Sequence, residues 1–443
     1  MPEGAVEAAP RLKSVPLAVF LLGLTSVGAL LISACAGPLT PAAPVPSAAP
    51  TASPTPGLVV RLGSWHFDQD RGRLLAFVGL ASGPAASEVE FEVSLLDERG
   101  DEMASTTAPL RARYLIPSRQ GFLAAVFPPG LSASSVRVRV TSFRPAPPGI
   151  LDLEGTALNA DWLTAETAAV LGRLTNPQAR RLSAGSLLVV GLDKSEEPVA
   201  YALGQTGADF LAPGEEIPFR ADVPESAEVD HWVILALGSP PDPPAPSRVE
   251  LESVELRFDS QGRPFATGFV VNPSDQPRQT RLLLLATGGE DWLAAGTLTI
   301  PVPLPPRSRM AFDVDDFPGL IERRPQGDDA PALAIVPYVA DSVSEAVLED
   351  LEAEVTGFEV IGSRLYLRGQ VQVPETVAVL NPTLFATILS AEGDLVSAGW
   401  TLAAERAGPG QTVPFLLSIP IPAHADLALA EYDVRAWGIR DQD

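Results

Sequence analysis

The chain has 443 residues, of which 55 are Asp or Glu and 31 are Lys or Arg, giving a formal charge of −24 at neutral pH. Phosphate is attracted to basic surfaces, so this balance makes nucleic acid and anionic lipid poor partners, and no nucleic-acid partner is expected. A single cysteine, Cys35, rules out a disulfide within the chain and leaves stability to packing. Lys13 and Lys194 are the only lysines, and with 45 prolines the excess of arginine reads as the coding bias of a GC-rich genome.

Arg11 and Lys13 precede an uncharged run from Val15 to Ser33, which closes on the small residue Ala34. A basic start, an apolar stretch and small residues before a cut form the layout of a signal peptide. The same run approaches the roughly 20 residues that a transmembrane helix needs. Ile32, Ser33 and Ala34 ahead of Cys35 resemble the lipobox of bacterial lipoproteins. That resemblance implies a diacylglyceryl group on the Cys35 thiol, cleavage before it and acylation of the new amino group, with residues 1–34 as a lipoprotein signal peptide. Two or more acyl chains make attachment stable where one is marginal. An uncleaved anchor and a chance match are the alternatives, and all three leave the body outside the cytoplasm.

Residues 36–57 are almost wholly Ala, Pro, Ser, Thr and Gly without charge, a composition that cannot bury a core. With Cys35 they form an expected disordered tether, 35–57, whose reach in polyproline II form is roughly 70 Å.

Beyond the tether the apolar spacing is period two. Val89, Phe91, Val93 and Leu95 alternate with Glu88, Glu90 and Glu92, the pattern of a half-buried strand. Val136, Val138 and Val140 alternate with Arg137 and Arg139, and residues 431–436 repeat the pattern. Turn signals separate such runs at 97–100, 288–291 and 392–394 and at the Asn-Pro pairs beginning at Asn176 and Asn272. The nearest helix candidate, 344–354, reads either as a short helical turn or as an acidic lead into a strand.

Internal repetition organises the body. Gly79, Gly172, Gly268 and Gly369 each end an apolar strand that begins shortly after an aromatic residue, Trp65, Trp162, Phe258 or Phe358. Pro117, Pro213, Pro306 and Pro409 follow, and then Phe122, Phe219, Phe312 and Phe415. A closing strand ends each unit, near Val140, Leu237, Val339 and Ala436. The units are about 95 residues long, and the segments 211–219 and 407–415 are nearly identical in pattern.

This order resembles the FxLYD-type immunoglobulin-like domain found in tandem on bacterial envelope proteins, with 93–97 and Gly100 standing where that family has its name-giving motif. The later units depart from it at 188–193, 283–287 and 385–390. The resemblance implies β-sandwiches without catalytic residues. Many short strands with spaced turns point independently to the same class. The expected architecture is therefore all-β: four tandem immunoglobulin-like β-sandwiches at 58–145, 150–240, 247–342 and 349–443. Pro-rich joints at 144–149 and 239–247 predict stiff links and a rod-like array, and Pro337 predicts that its closing strand lies at an edge or bulge. The insertion 319–331 is the most irregular loop and a candidate contact site.

Residue chemistry offers no catalytic constellation. His66, His231 and His424 fall in different units, and no Gly-Xaa-Ser-Xaa-Gly, His-Glu-Xaa-Xaa-His or Cys-Xaa-Xaa-Cys pattern occurs. Residues 68–72 contain alternating carboxylates, yet the glycine comes one place early for an EF-hand, so a hairpin turn is the expectation. The Asp-Asp pairs beginning at Asp315 and Asp328 are read with the same caution. The six tryptophans, placed alike in successive units, are expected in cores. No cofactor or enzymatic role is expected. The expected function is that of a lipid-anchored structural or adhesive protein-interaction array on the extracytoplasmic side of a bacterial membrane, meeting an envelope protein or glycan, with strand addition as one mode of contact. The alternative is a solute- or glycan-binding lipoprotein serving a transporter or envelope enzyme.

Overall fold

Alternation builds the first hairpin sheet. In strand Ala86–Leu96, Val89, Phe91, Val93 and Leu95 are buried while Glu88 and Glu90 on the other face are exposed, because successive side chains of a strand point to opposite faces. The strand pairs antiparallel with Glu102–Pro109 on one side and Ser135–Pro145 on the other. This computed structural model describes residues 57–441 apart from 118, 165, 225–227, 241–248, 327–330, 426 and 428–430. Ile32, Ser33, Ala34, Cys35 and the tether up to residue 56 lie outside the described residues, as does most of the 239–247 joint.

The fold is all-β, with one four-residue α-helix, Leu320–Arg323, among the described residues. Sheets form within four consecutive stretches, 59–145, 151–238, 250–343 and 348–440. Among the described residues one isolated bridge joins two stretches, Asp259 to Pro422. In the first three stretches an opening sheet faces a hairpin sheet. The opening sheets centre on Arg73–Ser82, Thr167–Thr175 and Pro264–Asn272, and the hairpin sheets on Ala86–Leu96, Ser186–Leu192 and Arg278–Gly288. In the fourth stretch Leu348–Ile361 passes from one sheet to the other: residues 348–351 pair with Glu431–Arg440, and residues 352–361 with Arg364–Gln372. The 344–354 segment is thus a lead into a strand. Leu333–Val343, which carries Pro337, is an edge strand, where a residue without an N–H is tolerated.

The Asn-Pro pairs read as turns are also staples. Asn176 and Asn272 are fully buried. The Asn176 amide donates to the carbonyls of Arg180, Leu211 and Ala212. Asn272 makes the equivalent bonds to Gln276, Leu304 and Pro305. A buried amide whose two N–H groups are shared among three carbonyls fixes two loops at once.

Apolar sheet faces join the stretches, contacts that the reading of the Pro-rich joints did not include. Leu75, Phe77 and Phe122 of the first stretch cluster with Leu188, Val190 and Leu192 of the second. Leu171 of the second packs with Leu283, Leu285 and Ala295 of the third. Phe269 and Ala311 of the third pack with Leu395 and Ala398 of the fourth. Each time the outer face of an opening sheet meets the outer face of the next hairpin sheet. Strands covered on both faces become unbroken apolar runs, which is why Leu282–Leu285 shows no alternation.

The two outermost faces differ. On the first hairpin sheet Glu92 lies opposite Arg139 and Glu90 lies beside it. On the last opening sheet Gln370 and Gln372 lie opposite Glu354 and Glu352, next to Arg368. Stacked repeats need terminal members with a polar outer face, and both ends of this stack have one.

Candidate functional site

Three of the polar residues singled out in the sequence, His66, Asp315 and Asp316, meet partners across the seams between stretches. His66 meets Glu197 of the second stretch at 3.2 Å. His231 lies 3.4 Å from Glu196 and 3.7 Å from Asp230, and His424 is exposed. Residues 68–72 form a hairpin turn in which the Asp68 carboxylate accepts the backbone N–H groups of Asp70 and Arg71. Among the described residues no group of three or more His, Cys, Asp or Glu side chains is placed to hold a metal ion.

Asp315 and Asp316 act across seams. Asp315 pairs with Arg364 of the fourth stretch at 2.7 Å, and Asp316 pairs with Arg220 of the second. Asp328 lies outside the described residues. The insertion turns back on the protein itself: Arg323, from its short helix, forks onto both oxygens of Asp161 in the second stretch. A loop read as a contact site is therefore an internal brace over its described part.

The tryptophans depart from the core expectation. Trp437 alone among them is buried, stacked on Phe385 at 4.4 Å and donating to the Pro303 carbonyl. It belongs to the cluster shared with the third stretch, against which Trp400 also packs. Trp292 packs at the seam between second and third stretches, under the Arg173 guanidinium. Trp65 and Trp232 flank their own cores, and Trp162 is 57% exposed. Repetition placed three of the six at joints because the joints repeat as the cores do.

Sequence reasoning missed the residue that follows the repeated phenylalanine. Arg220, after Phe219, is 3% exposed and donates to the Ala295 and Asp316 carbonyls of the third stretch as well as to Asp316 and Asp222 side chains. Asp313, after Phe312, occupies the matching register at the next seam, opposite Thr267. Burial pushes its carboxyl up to about 8, the nearby Asp315 charge adds to the rise, and Arg364 opposes it. The signal was present as Phe-Arg and Phe-Asp at one landmark, but only the docked faces give it meaning.

A cleft of about 950 Å³ opens where the first three stretches meet. Its walls include Leu110, Arg111 and Arg113 from the first, Leu203 and Phe210 from the second, and Val343 from the third. Leu203 is 65% exposed and Val343 44% exposed. The carboxylates along it are matched: Glu88 with Arg144 at 3.0 Å, Asp209 with Arg281 at 2.9 Å and Asp341 with Arg278 at 3.0 Å. Burial raises the Asp209 carboxyl above its ordinary range, against the pull of Arg281 and with a further rise from Asp341.

No helix among the described residues is long and apolar enough to cross a membrane. Comparison with protein families and with curated proteins finds no match to this chain.

Proposed function

We propose that the protein is a lipoprotein of the bacterial envelope, held on the extracytoplasmic side of the cell membrane through acyl chains on Cys35 and acting as a structural or adhesive protein-interaction array. Residues 1–34 would be its signal peptide and 35–57 its tether. Four sandwiches at 58–145, 150–240, 247–342 and 349–443, similar to FxLYD-type repeats, would form the body, and no residue is given a catalytic or cofactor role. The supporting observation is the stack itself: sheet faces that dock in series and end in charged faces give a stiff scaffold with edge strands along its flanks. Free edges are templates for an added strand.

The anchor is tested by the mass of the N-terminal peptide from protein made in its native host. A mature chain beginning at acylated Cys35 is expected, with release from the membrane in Cys35→Ala. An unmodified Cys35, or an intact residue 1–34 segment, contradicts the anchor. The binding-lipoprotein alternative draws its support from the three-way cleft.

A further inference from the structure

We propose that the cleft between the first three stretches is a binding site for an acidic, partly apolar peptide segment, held by Arg111 and Arg113 against an apolar wall. This deepens the interaction role proposed above and rests on it. Each carboxylate lining the cleft has its own guanidinium, whereas Arg111 and Arg113 form no ion pair among the described residues. Arg181, whose guanidinium lies 5.0 Å from the ring of the lining Phe210, forms none either. In a chain with 24 more acidic than basic residues, this cleft is a local reserve of uncompensated positive charge.

The two cleft arginines are also positioned in advance. Arg111 spends one donor on the Ala124 carbonyl and lies 5.8 Å from the Tyr201 ring centre. Arg113 lies 5.3 Å from the Tyr114 ring, and its backbone N–H donates to Ser186 of the second stretch. A guanidinium has five N–H donors in a fixed fork that matches a carboxylate, so most of that capacity remains for a ligand. Exposed Leu203 and Val343 provide apolar contact beside the charge. Together these favour a peptide with alternating acidic and apolar side chains over an acidic glycan, whose hydroxyl-bearing rings would gain little from the aliphatic Leu203 and Val343. The cleft volume falls in the range of ligand pockets, about 300–1,000 Å³.

The test is fluorescence anisotropy with a labelled peptide of alternating Glu and Leu, titrated with the intact protein. Saturable binding that weakens with added salt is expected. The double substitution Arg111→Ala and Arg113→Ala should weaken it tenfold or more at unchanged melting temperature. Arg111→Lys with Arg113→Lys should retain more binding than the alanine pair, and Arg99→Ala with Arg137→Ala, the same charge change elsewhere, should leave it intact. Equal binding of a Lys-Leu peptide, equal loss in the Arg99 and Arg137 control, or indifference to the Arg111 and Arg113 pair would overturn the site. Binding of oligogalacturonate but not of the Glu-Leu peptide would overturn the peptide assignment. None of these outcomes depends on lipidation, so the anchor stands or falls separately.

Discussion

Gly172 lies directly across an antiparallel strand pair from Phe219, and a Cβ placed on it would come within 2.1 Å of the ring. Gly268 faces Phe312 and Gly369 faces Phe415 in the same register. The ring covers the bare backbone and occupies the space a side chain would take, so glycine and phenylalanine recur as a pair.

Gly172→Ala and Gly369→Ala are therefore expected to destabilise the protein by about 1–3 kcal/mol through overpacking. At Gly369 the added carbon would also meet the Glu354 carbonyl at 2.1 Å, backbone that cannot swing aside. Gly79 is the control: it pairs with Gln120, and its Cβ would meet nothing closer than 3.9 Å. Gly79→Ala should stay within about 0.5 kcal/mol of the parent. Urea denaturation of the three variants checks the ordering.

Arg220 carries the seam between the second and third stretches. Arg220→Ala would leave the Ala295 carbonyl without this buried donor, and unpaired buried groups cost about 1–3 kcal/mol each. Arg220→Met, which keeps most of the stem, should recover packing but not the hydrogen bonds. Both are expected to raise amide exchange in Asp291–Thr299 of the third stretch, across the seam. Exchange confined to the strand that holds residue 220 would contradict the latch.

Asp313 makes stability depend on pH. Its carboxyl is raised from 3.8 to about 8 in the folded protein, so between those values the native state keeps a proton that the unfolded chain has released. Stability from this group is then fully present below about pH 4, falls as pH rises from there, and levels off above about pH 8. The slope it adds is at most about 1.4 kcal/mol per pH unit. Asp313→Asn, neutral throughout, should flatten the profile and gain on the parent as pH approaches 8. A parent profile that rises over that window, or one unchanged by the substitution, would contradict this reading.

Much of the strand content was legible because one buried face writes period two into the sequence, as in Val89 to Leu95 and Val136 to Val140. Pro337 announced its edge strand for an equally local reason. The docking between stretches was not legible, because a strand covered on both faces loses its alternation and Leu188 to Leu192 reads only as apolar. Phe122 shows the limit of landmark alignment. It follows Pro117 as Phe219 follows Pro213, yet it faces Phe77 and points into the seam rather than into its own core. The cleft was invisible for a related reason, since Arg113, Phe210 and Val343 come together only after three stretches stack. Cys35 and its three preceding residues remain an inference from sequence.

Docked apolar faces, rather than linkers, are the centre of this account, and scanning calorimetry of the whole protein tests them most directly. If the seams couple the stretches, the calorimetric and van't Hoff enthalpies should agree to a ratio of about one, and Leu285→Asp at the second seam should split the transition. A ratio of about four in the parent, unchanged by Leu285→Asp, would mean that the sandwiches unfold as independent beads.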